Sequence, residues 1–234
     1  MWVFDVSSDK VTDWTGQTLF RAPGQPSEKH MIYYQPAVSF DKYRIPWVYF
    51  GTGNREDPNE FANPPERFYA VKDDGLGNYP RTEGDLDNVT PDPQNTFNVA
   101  TKKGWYLQLD KQVQSLEKVL AKPTLFNQLV YFTTYKNKDT DDPCSGGGVS
   151  SLYTVEYLSG GGALTVDEYS DLSGPAGARS EEVGIGAPST PVISISTKAQ
   201  GSVIIGTTSG QIFSQETFSP SSGKVLLYWR EVIP

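Results

Sequence analysis

The sequence predicts an all-β fold, a modified β-propeller with long loop insertions, on the strength of three observations. First, a pair of strand-like runs joined by a turn or loop occurs three times along the chain. Second, the 22 glycines and 17 prolines show no collagen-like period and indicate many turns. Third, aromatic residues make up 12% of the chain, and such residues suit pleated, half-buried strands. Repeated small antiparallel units with glycine turns are typical of propellers and related arrays.

The three pairs differ mainly in the length of their tips. In the first pair, residues 47–50 and 68–71 flank a polar, acidic and proline-rich stretch. In the second, residues 129–132 and 152–157 flank an acidic, glycine-rich loop. The third is compact: residues 203–205 and 211–213 flank a Ser209-Gly210 turn, which predicts a β-hairpin. Residues 1–6 look like the outgoing strand of a fourth pair.

Several shorter runs complete the predicted set of strands. They lie at 18–20, 37–40, 105–109, 192–196 and 225–232. Residues 110–122 have two readings: apolar residues from Val113 to Leu120 recur at helical spacing, yet an all-β array needs a strand at 118–121. The all-β context favours the strand.

Composition and charge exclude several functions. The net charge of −8 and the pI near 4.7 disfavour nucleic acid or an anionic membrane as a partner. No window approaches the roughly 18 apolar residues that span a bilayer. The one cysteine excludes an intrachain disulfide and a multi-cysteine zinc site. The chain opens on a strand-like run without a signal peptide, so we expect it to be a piece of something longer.

Nucleophilic catalysis finds little support in the sequence. A Ser-His-Asp or Cys-His site would have to use His30, in "PSEKHMIYY", and no Gly-x-Ser-x-Gly elbow occurs. We therefore expect His30 to be a surface or strand-edge histidine. Cys144 follows two nearby aspartates, which raise the pKa of a thiol, so an inert loop thiol is expected.

Three acidic runs are the candidates for a metal site. They lie at 54–60, 83–87 and 139–142, and none completes the alternating oxygen ligands of a calcium loop. We expect solvated acidic loops. A spatial pair of carboxylates for glycoside hydrolysis stays an open alternative, whereas no phosphate-binding or dinucleotide fingerprint is present. No catalytic, cofactor-binding or metal-binding residue is therefore assigned.

An ordered series of segments carries a family resemblance over nearly the whole chain. It includes "YYQPAVSFDKYRIPWVYFGTGNREDP", "RFYAVKDD", "GWYLQLD", "LVYFTTY", "VGIGAPSTPVI" and "GTTSGQIF". Each piece alone is common, but the ordered set resembles the C-terminal β-propeller domain of the PilY1/PilC family of type IV pilus biogenesis and tip-adhesin proteins.

The resemblance implies a non-enzymatic module outside the cytoplasm, at the cell surface, pilus tip or outer membrane. It would support pilus assembly, adhesion and twitching motility by binding pilins, major or minor, and host or abiotic surfaces. The working parts would be loops at 54–66, 136–148 and 173–188. The family's calcium loop would lie upstream of Met1, so no cofactor is expected in this chain.

The length alone allows one or two domains, whereas the resemblance implies that residues 1–234 are a single domain, the C-terminal part of a propeller ring. At roughly 40–45 residues per blade, four or five blades are expected. A closed ring then needs the upstream part of the chain's own propeller, unless another chain provides it, because an open ring leaves edges and apolar faces uncovered. Two alternatives remain: a quinoprotein-dehydrogenase-like enzyme, disfavoured by the lone cysteine, and a carbohydrate-binding adhesin.

Overall fold

The protein is described from a computed structural model that covers residues 1–23, 30–62, 64–91, 101–110, 116–137, 147–164, 178–195 and 201–217. Regular structure in these ranges consists of β-strands and two short 3₁₀ turns, Val11–Asp13 and Glu83–Asp85. The strands are β1 (Trp2–Asp5), β2 (Thr15–Thr18), β3 (Ala37–Phe40), β4 (Pro46–Gly51), β5 (Arg67–Lys72), β6 (Asp87–Asn88), β7 (Gly104–Gln108), β8 (Glu117–Val119), β9 (Thr124–Phe126), β10 (Leu129–Lys136), β11 (Val149–Glu156), β12 (Ser180–Ile185), β13 (Val192–Ile195), β14 (Gly201–Gly206) and β15 (Ile212–Thr217).

Within the described ranges these strands form four separate sheets in chain order. The first sheet is β1-β2, and the second is β3-β4-β5-β7-β6. The third is β12-β11-β10-β8, with β9 also paired to β10, and the fourth is β13-β14-β15. Pairing is antiparallel except between β6 and β7. None of the sheets closes into a barrel, and the predicted all-β, propeller-like fold is confirmed.

Each neighbouring pair of sheets encloses its own hydrophobic core. On β4, Trp47 and Tyr49 enter the core between the second and third sheets, whereas Phe50 enters the core shared with the first sheet. On β10, Phe132 faces the second sheet and Tyr131 faces the fourth. Successive side chains of a strand point to opposite faces, so one strand serves two cores. This double burial explains the near-continuous apolar runs of these strands.

The three predicted strand pairs are confirmed as hairpins. Trp47 lies opposite Lys72, Leu129 opposite Glu156, and Gly206 opposite Ile212. The strand reading of the ambiguous segment is also confirmed at β8, while residues 111–115 lie outside the described ranges. The backbone N–H of Val119 donates to Thr52 O, so sheet contacts override local helical propensity.

Two of the shorter predictions need correction or stay open. The strand expected at 18–20 ends at Thr18. Leu19 and Phe20 leave the sheet and pack into the core between the first and second sheets. Residues 225–232 lie outside the described ranges. Strands at 37–40, 105–109 and 192–196 are confirmed within one residue at each end.

The two outermost sheets each leave one apolar face in solvent. On the first sheet, Trp2 is 61% exposed and Phe4 is 65% exposed. On the fourth sheet, Val192 is 58% exposed and Ile212 is 79% exposed. Single exposed apolar residues are ordinary, but a group on one sheet face marks an interaction surface. The uncovered faces expected of a partial ring are therefore present.

Candidate binding face

Three hairpins and one crossover meet at one end of the sheets. The β4–β5, β10–β11 and β14–β15 hairpins turn there, and the β12–β13 connection crosses there. Hydrogen bonds link them in a row: Asn137 Nδ2 donates to Asn59 Oδ1 at 2.7 Å, and Gly186 N donates to Gly148 O at 2.8 Å. We call residues 51–62, 64–66, 136–137, 147–148, 185–188 and 207–211 the tip face. It contains described residues of all three loops predicted to bind. The prediction of a loop over 173–188 is wrong in its middle, because Ser180–Ile185 form β12 and pair with β11.

The β4–β5 loop, residues 52–62 and 64–66, is called the first tip, and its own polar side chains determine its conformation. Asn54 Oδ1 accepts the backbone N–H groups of Glu56 and Asp57, and Asn54 Nδ2 donates to Glu60 Oε2 at 2.7 Å. Asp57 Oδ1 in turn accepts Asn59 N–H. Such side-chain to backbone bonds are typical of Asx turns. The acidic run at 54–60 is thus partly used in shaping the loop rather than gathered around an ion.

A buried lysine anchors this tip to the neighbouring sheet. Lys118, on β8, is 1% exposed, and its ammonium group donates to the backbone oxygen of Glu60. Burial lowers the pKa of Lys118, while the carboxylates of Glu66, Glu60 and Asp57 oppose that shift. Gly53, two residues after β4, packs closely against this lysine, because an added Cβ would lie 2.8 Å from Lys118 Cβ.

A second buried pair lies at the base of the same tip. His30 Nδ1 is 2.7 Å from Glu66 Oε2, and the two side chains are 3% and 5% exposed. The expectation of a surface or strand-edge histidine is therefore wrong. The burial arises because Glu66 directly precedes β5 and faces the segment that leads into β3, a contact over 36 residues of sequence. No hydroxyl or thiol nucleophile is hydrogen-bonded to His30 among the described residues.

The remaining tips are joined mainly through backbone groups. Ser150 Oγ donates to Gly186 O, and Ser209 Oγ donates to Ile185 O at 2.8 Å. Gln211 Oε1 accepts Ile185 N–H at 2.8 Å, so the third hairpin holds the end of β12. The tip face is consequently an ordered surface in its described parts, and its bonds run between sheets.

Exposed apolar side chains and carboxylates share this end of the molecule. Tyr33 is 39% exposed and its hydroxyl group donates to Asn54 Oδ1, and Phe61 on the first tip is 53% exposed. Glu56 and Asp57 are exposed beside them. Aromatic residues are enriched in protein interfaces and polar groups form their rims, so this combination suits recognition of another macromolecule.

The other predicted candidates have ordinary structural roles or lie outside the described ranges. In the 83–87 run, Glu83 pairs with Arg67 at 2.5 Å, and Asp85 caps the 3₁₀ turn through Thr82. Cys144 and the 139–142 run lie outside those ranges. No group of three or more His, Cys, Asp or Glu side chains in the described part of the chain could hold a metal ion.

Sequence reasoning did not identify the buried charged cluster around Asp74. This carboxylate is 3% exposed and lies 2.7 Å from Arg81 Nη2 and 2.6 Å from Lys103 Nζ. The "KDDG" run reads as a solvated turn, and nothing in it signals a partner 29 residues away. The cluster stabilises the end of the second sheet opposite the tip face.

In the described part of the chain, no helix has the length and apolar character needed to cross a membrane.

Comparison with known proteins identifies the fold of this chain. Family models give no match, and curated proteins give none either. Among solved structures, the chain is similar to the crystal structure of the Pseudomonas aeruginosa PilY1 C-terminal domain, with a TM-score of 0.63 and 16% sequence identity. The match covers 88% of this chain and 49% of that one, so the chain spans about half of the solved domain. The resemblance inferred from the sequence is confirmed as a shared fold.

Proposed function

We propose that this chain is a non-enzymatic binding module of a type IV pilus system. The observation that carries the proposal is the shared fold with the PilY1 C-terminal domain over 88% of the chain. The character of the tip face supports it, since its side chains are engaged in loop structure and inter-sheet contacts. Such a module works by binding, in pilus assembly, adhesion and twitching motility.

The proposed partners are pilus subunits and the surfaces that pili contact, and the proposed location is outside the cytoplasm. The tip face is the proposed contact region, because it presents Phe61 on ordered backbone and has the exposed ring of Tyr33 beside it. The remaining sheets of the ring are a further partner, since the first and fourth sheets each leave an apolar face open.

The location is tested by shearing surface filaments from the source cells and blotting the purified filaments for this polypeptide. A mutant lacking the major pilin is the control. Co-purification that disappears in the mutant supports the proposal. Recovery of the same amount in the periplasm with and without pili contradicts it, and then the enzyme alternative becomes the one to pursue.

The contact region is tested with two matched substitutions of exposed side chains. Phe61→Ser alters the tip face, and Leu76→Ser alters a loop at the opposite end of β5, where Leu76 is 65% exposed. Truncation of a hot-spot residue costs more than about 1 kcal/mol, which is about fivefold in affinity. We expect Phe61→Ser to reduce co-sedimentation with purified filaments by that factor and Leu76→Ser to leave it unchanged. Equal effects of the two substitutions would remove the tip face from the proposal.

A further inference from the structure

Three charged side chains meet where the second and third sheets adjoin, at the edge of their shared core. Asp110 follows Leu109 of that core, Glu117 begins β8, and Lys136 ends β10. Lys136 Nζ lies 2.5 Å from Asp110 Oδ2. A lysine of the third sheet is thereby held against a carboxylate that follows β7 of the second sheet.

The pairing of β8 with β10 places Glu117 beside this ion pair. Glu117 lies directly opposite Lys136 in the register, and the Cβ atoms of directly opposite residues are about 4.5–5.5 Å apart. Alternation from Phe132, which faces the second sheet, brings Lys136 to the same face of β10. The amine, the Asp110 carboxylate and the Glu117 carboxyl group therefore form one cluster.

Glu117 is the buried acid of this cluster. It is 9% exposed, and the hydroxyl groups of Thr134 and Tyr153 donate to its Oε1 at 2.7 and 2.9 Å. Burial raises the pKa of Glu117 and the charge of Asp110 raises it further, while the two hydroxyl groups and Lys136 oppose the shift without reversing it. The protonated form is thus favoured next to an amine and a second carboxyl group.

The cluster has the parts that amide formation requires. A lysine amine attacks a carboxyl carbon when the amine has lost its proton and the carboxyl group has gained one. A positioned acid that moves such protons typically contributes about 10²–10⁴-fold to the rate. Holding the two reactants in contact is equivalent to an effective concentration of about 10⁵–10⁸ M, which accelerates the attack further.

The ion pair at Asp74 supplies an internal contrast. Lys103 Nζ lies 2.6 Å from Asp74 Oδ2, much as Lys136 lies from Asp110. The side chain beside Asp74 is the Arg81 guanidinium, however, and Lys103 with Arg81 lowers the pKa of Asp74 although burial alone would raise it. That carboxylate is a poor acceptor for the proton that the reaction needs.

We propose that Lys136 and Asp110 condense to an intramolecular amide, with Glu117 as the acid–base group. Glu117 passes its proton to the Asp110 carboxylate and takes one from the Lys136 ammonium, and the Nζ lone pair then forms a bond to Asp110 Cγ. As a Cγ–O bond breaks, Glu117 gives its proton to the leaving hydroxyl group and recovers one from the nitrogen. One water is released, Glu117 ends protonated as it began, and no oxidant or co-reactant is consumed.

The amide would connect the second and third sheets covalently beside the tip face. It closes a loop of 26 residues, and a cross-link of that kind stabilises mainly by restricting the unfolded chain. The single cysteine excludes an intrachain disulfide, whereas this cross-link is one that reducing conditions do not open. Lys136 is 42% exposed, which gives the released water a path to solvent. The proposal concerns contacts within one chain and does not depend on the proposed function.

The test is a tryptic map of the purified chain after prolonged incubation at about pH 8. Because a modified Lys136 resists cleavage, the expected product is residues 104–111 joined to residues 119–138, lighter than the two separate peptides by one water. The intact chain is expected to be lighter by the same amount. The peptides that contain Asp74 and Lys103 are the internal control and are expected to stay unlinked.

Three substitutions separate the roles of the side chains. Lys136→Arg keeps the positive charge, but its guanidinium does not condense, so the cross-link is expected to disappear. Glu117→Gln keeps the size and an acceptor oxygen but relays no proton, so the rate of linkage is expected to fall at least about a hundredfold. Lys103→Arg, at the contrasting ion pair, is the matched control and should leave the rate unchanged.

Circular dichroism of each variant establishes that it remains folded. Because the cross-link itself adds stability, the effect of Glu117 on unfolding is compared in Lys136→Arg chains, which cannot link.

Three results would overturn the proposal. One is a folded wild-type chain in which residues 104–111 and the peptide ending at Lys136 are recovered only unlinked, which would make the contact an ion pair and no more. Another is linkage of Glu117→Gln at the wild-type rate, which would remove Glu117 from the reaction. The third is a link from Lys136 to residues 112–118, which would make Glu117 the reacting carboxyl group.

Discussion

The rings of Phe68 on β5 and Phe132 on β10 stack across the second and third sheets, with centroids 3.8 Å apart and planes 7° from parallel. Phe132 stacks in turn on Tyr153 at 4.7 Å. The rings of two sheets thus form one continuous stack in the central core.

A double-mutant cycle is expected to show coupling between these two residues. Phe68→Leu and Phe132→Leu each remove one ring, and aromatic pairs contribute about 0.5–1.5 kcal/mol beyond area burial. The measurement is the free energy of unfolding in urea for the two single variants and the double variant. The control cycle pairs Phe68→Leu with Tyr131→Leu, because Tyr131 faces the other core. Equal coupling in both cycles would show that the ring contact is not its source.

Replacing Asp74 with asparagine is expected to destabilise the protein strongly. The change leaves Arg81, 2% exposed, without its charged partner, and breaking a buried pair costs roughly 3–5 kcal/mol. Urea unfolding at pH 7 measures the loss, with the exposed Asp9→Asn as the control. A loss of under about 1 kcal/mol would show that the charged cluster around Asp74 contributes little to stability.

The same carboxylate predicts an acid-sensitive contribution. Burial raises the pKa of Asp74, but the hydrogen bond and charge of Lys103, with Arg81, outweigh burial and lower it overall. Its stabilising contribution is therefore present above the ordinary aspartate pKa and is lost as the pH falls through the lowered value. The difference in stability between wild type and Asp74→Asn should shrink toward low pH.

Glu117 is expected to behave in the opposite sense. Burial raises its pKa above 4.5, although the hydroxyls of Thr134 and Tyr153 donate to Oε1 at 2.7 and 2.9 Å. The stability that its protonated form contributes is present below the unfolded pKa and is lost as the pH rises through the folded value. Glu117→Gln retains the acceptor without the charge, so we expect a gain in stability at pH 7 that vanishes near pH 4. Urea unfolding over that range tests this, with exposed Glu182→Gln as the control.

Two glycines with nearly equal φ allow the energetic cost of backbone strain to be distinguished from the cost of steric overlap. Gly75 has φ +67° and open space where a Cβ would project, whereas Gly160 has φ +69° and a Cβ there would lie 2.9 Å from the Trp105 ring. Alanine at either site costs about 1–2 kcal/mol for left-handed backbone. Gly160→Ala should cost a further 1–3 kcal/mol, about the cost of overpacking. Equal losses in the free energy of unfolding would show that the Trp105 ring can move aside at little cost.

Lys118→Met is expected to release the first tip while leaving the fold intact. Methionine fills much of the buried space but cannot donate to Glu60 O, and a charged hydrogen bond contributes about 1.5–3 kcal/mol. Hydrogen exchange at amides 54–62 should therefore speed up by about tenfold or more. Lys42→Met, in the exposed β3–β4 turn, is the control. Unchanged exchange would show that Asn54 and its neighbours hold the tip unaided.

The strands could be predicted from the sequence because local pattern determines them. Residues such as Trp47 and Phe68 lie in apolar runs bounded by turn residues, and burial on both faces strengthens that signal. The positions of the hairpin tips could be predicted as well, because each tip lies between two predicted strands.

The pairing of distant polar groups could not be predicted in this way. Lys118 and Glu60 are 58 residues apart, and Asn137 and Asn59 are 78 apart. His30 was expected at the surface for the same reason, since its partner Glu66 lies 36 residues away, just before β5. Charged side chains are rarely buried, so a local reading places them in solvent.

The two-sided burial of the inner strands has a consequence for how such a chain can diverge. Adding one residue within β4 or β10 would exchange the side chains destined for two different cores at once. Adding many residues beyond Gly51 or Lys136 disturbs neither core. Change in chain length is therefore confined to the hairpin tips, where a new partner can be acquired without rebuilding the stack. The same positions are where a foreign peptide could be inserted into this protein.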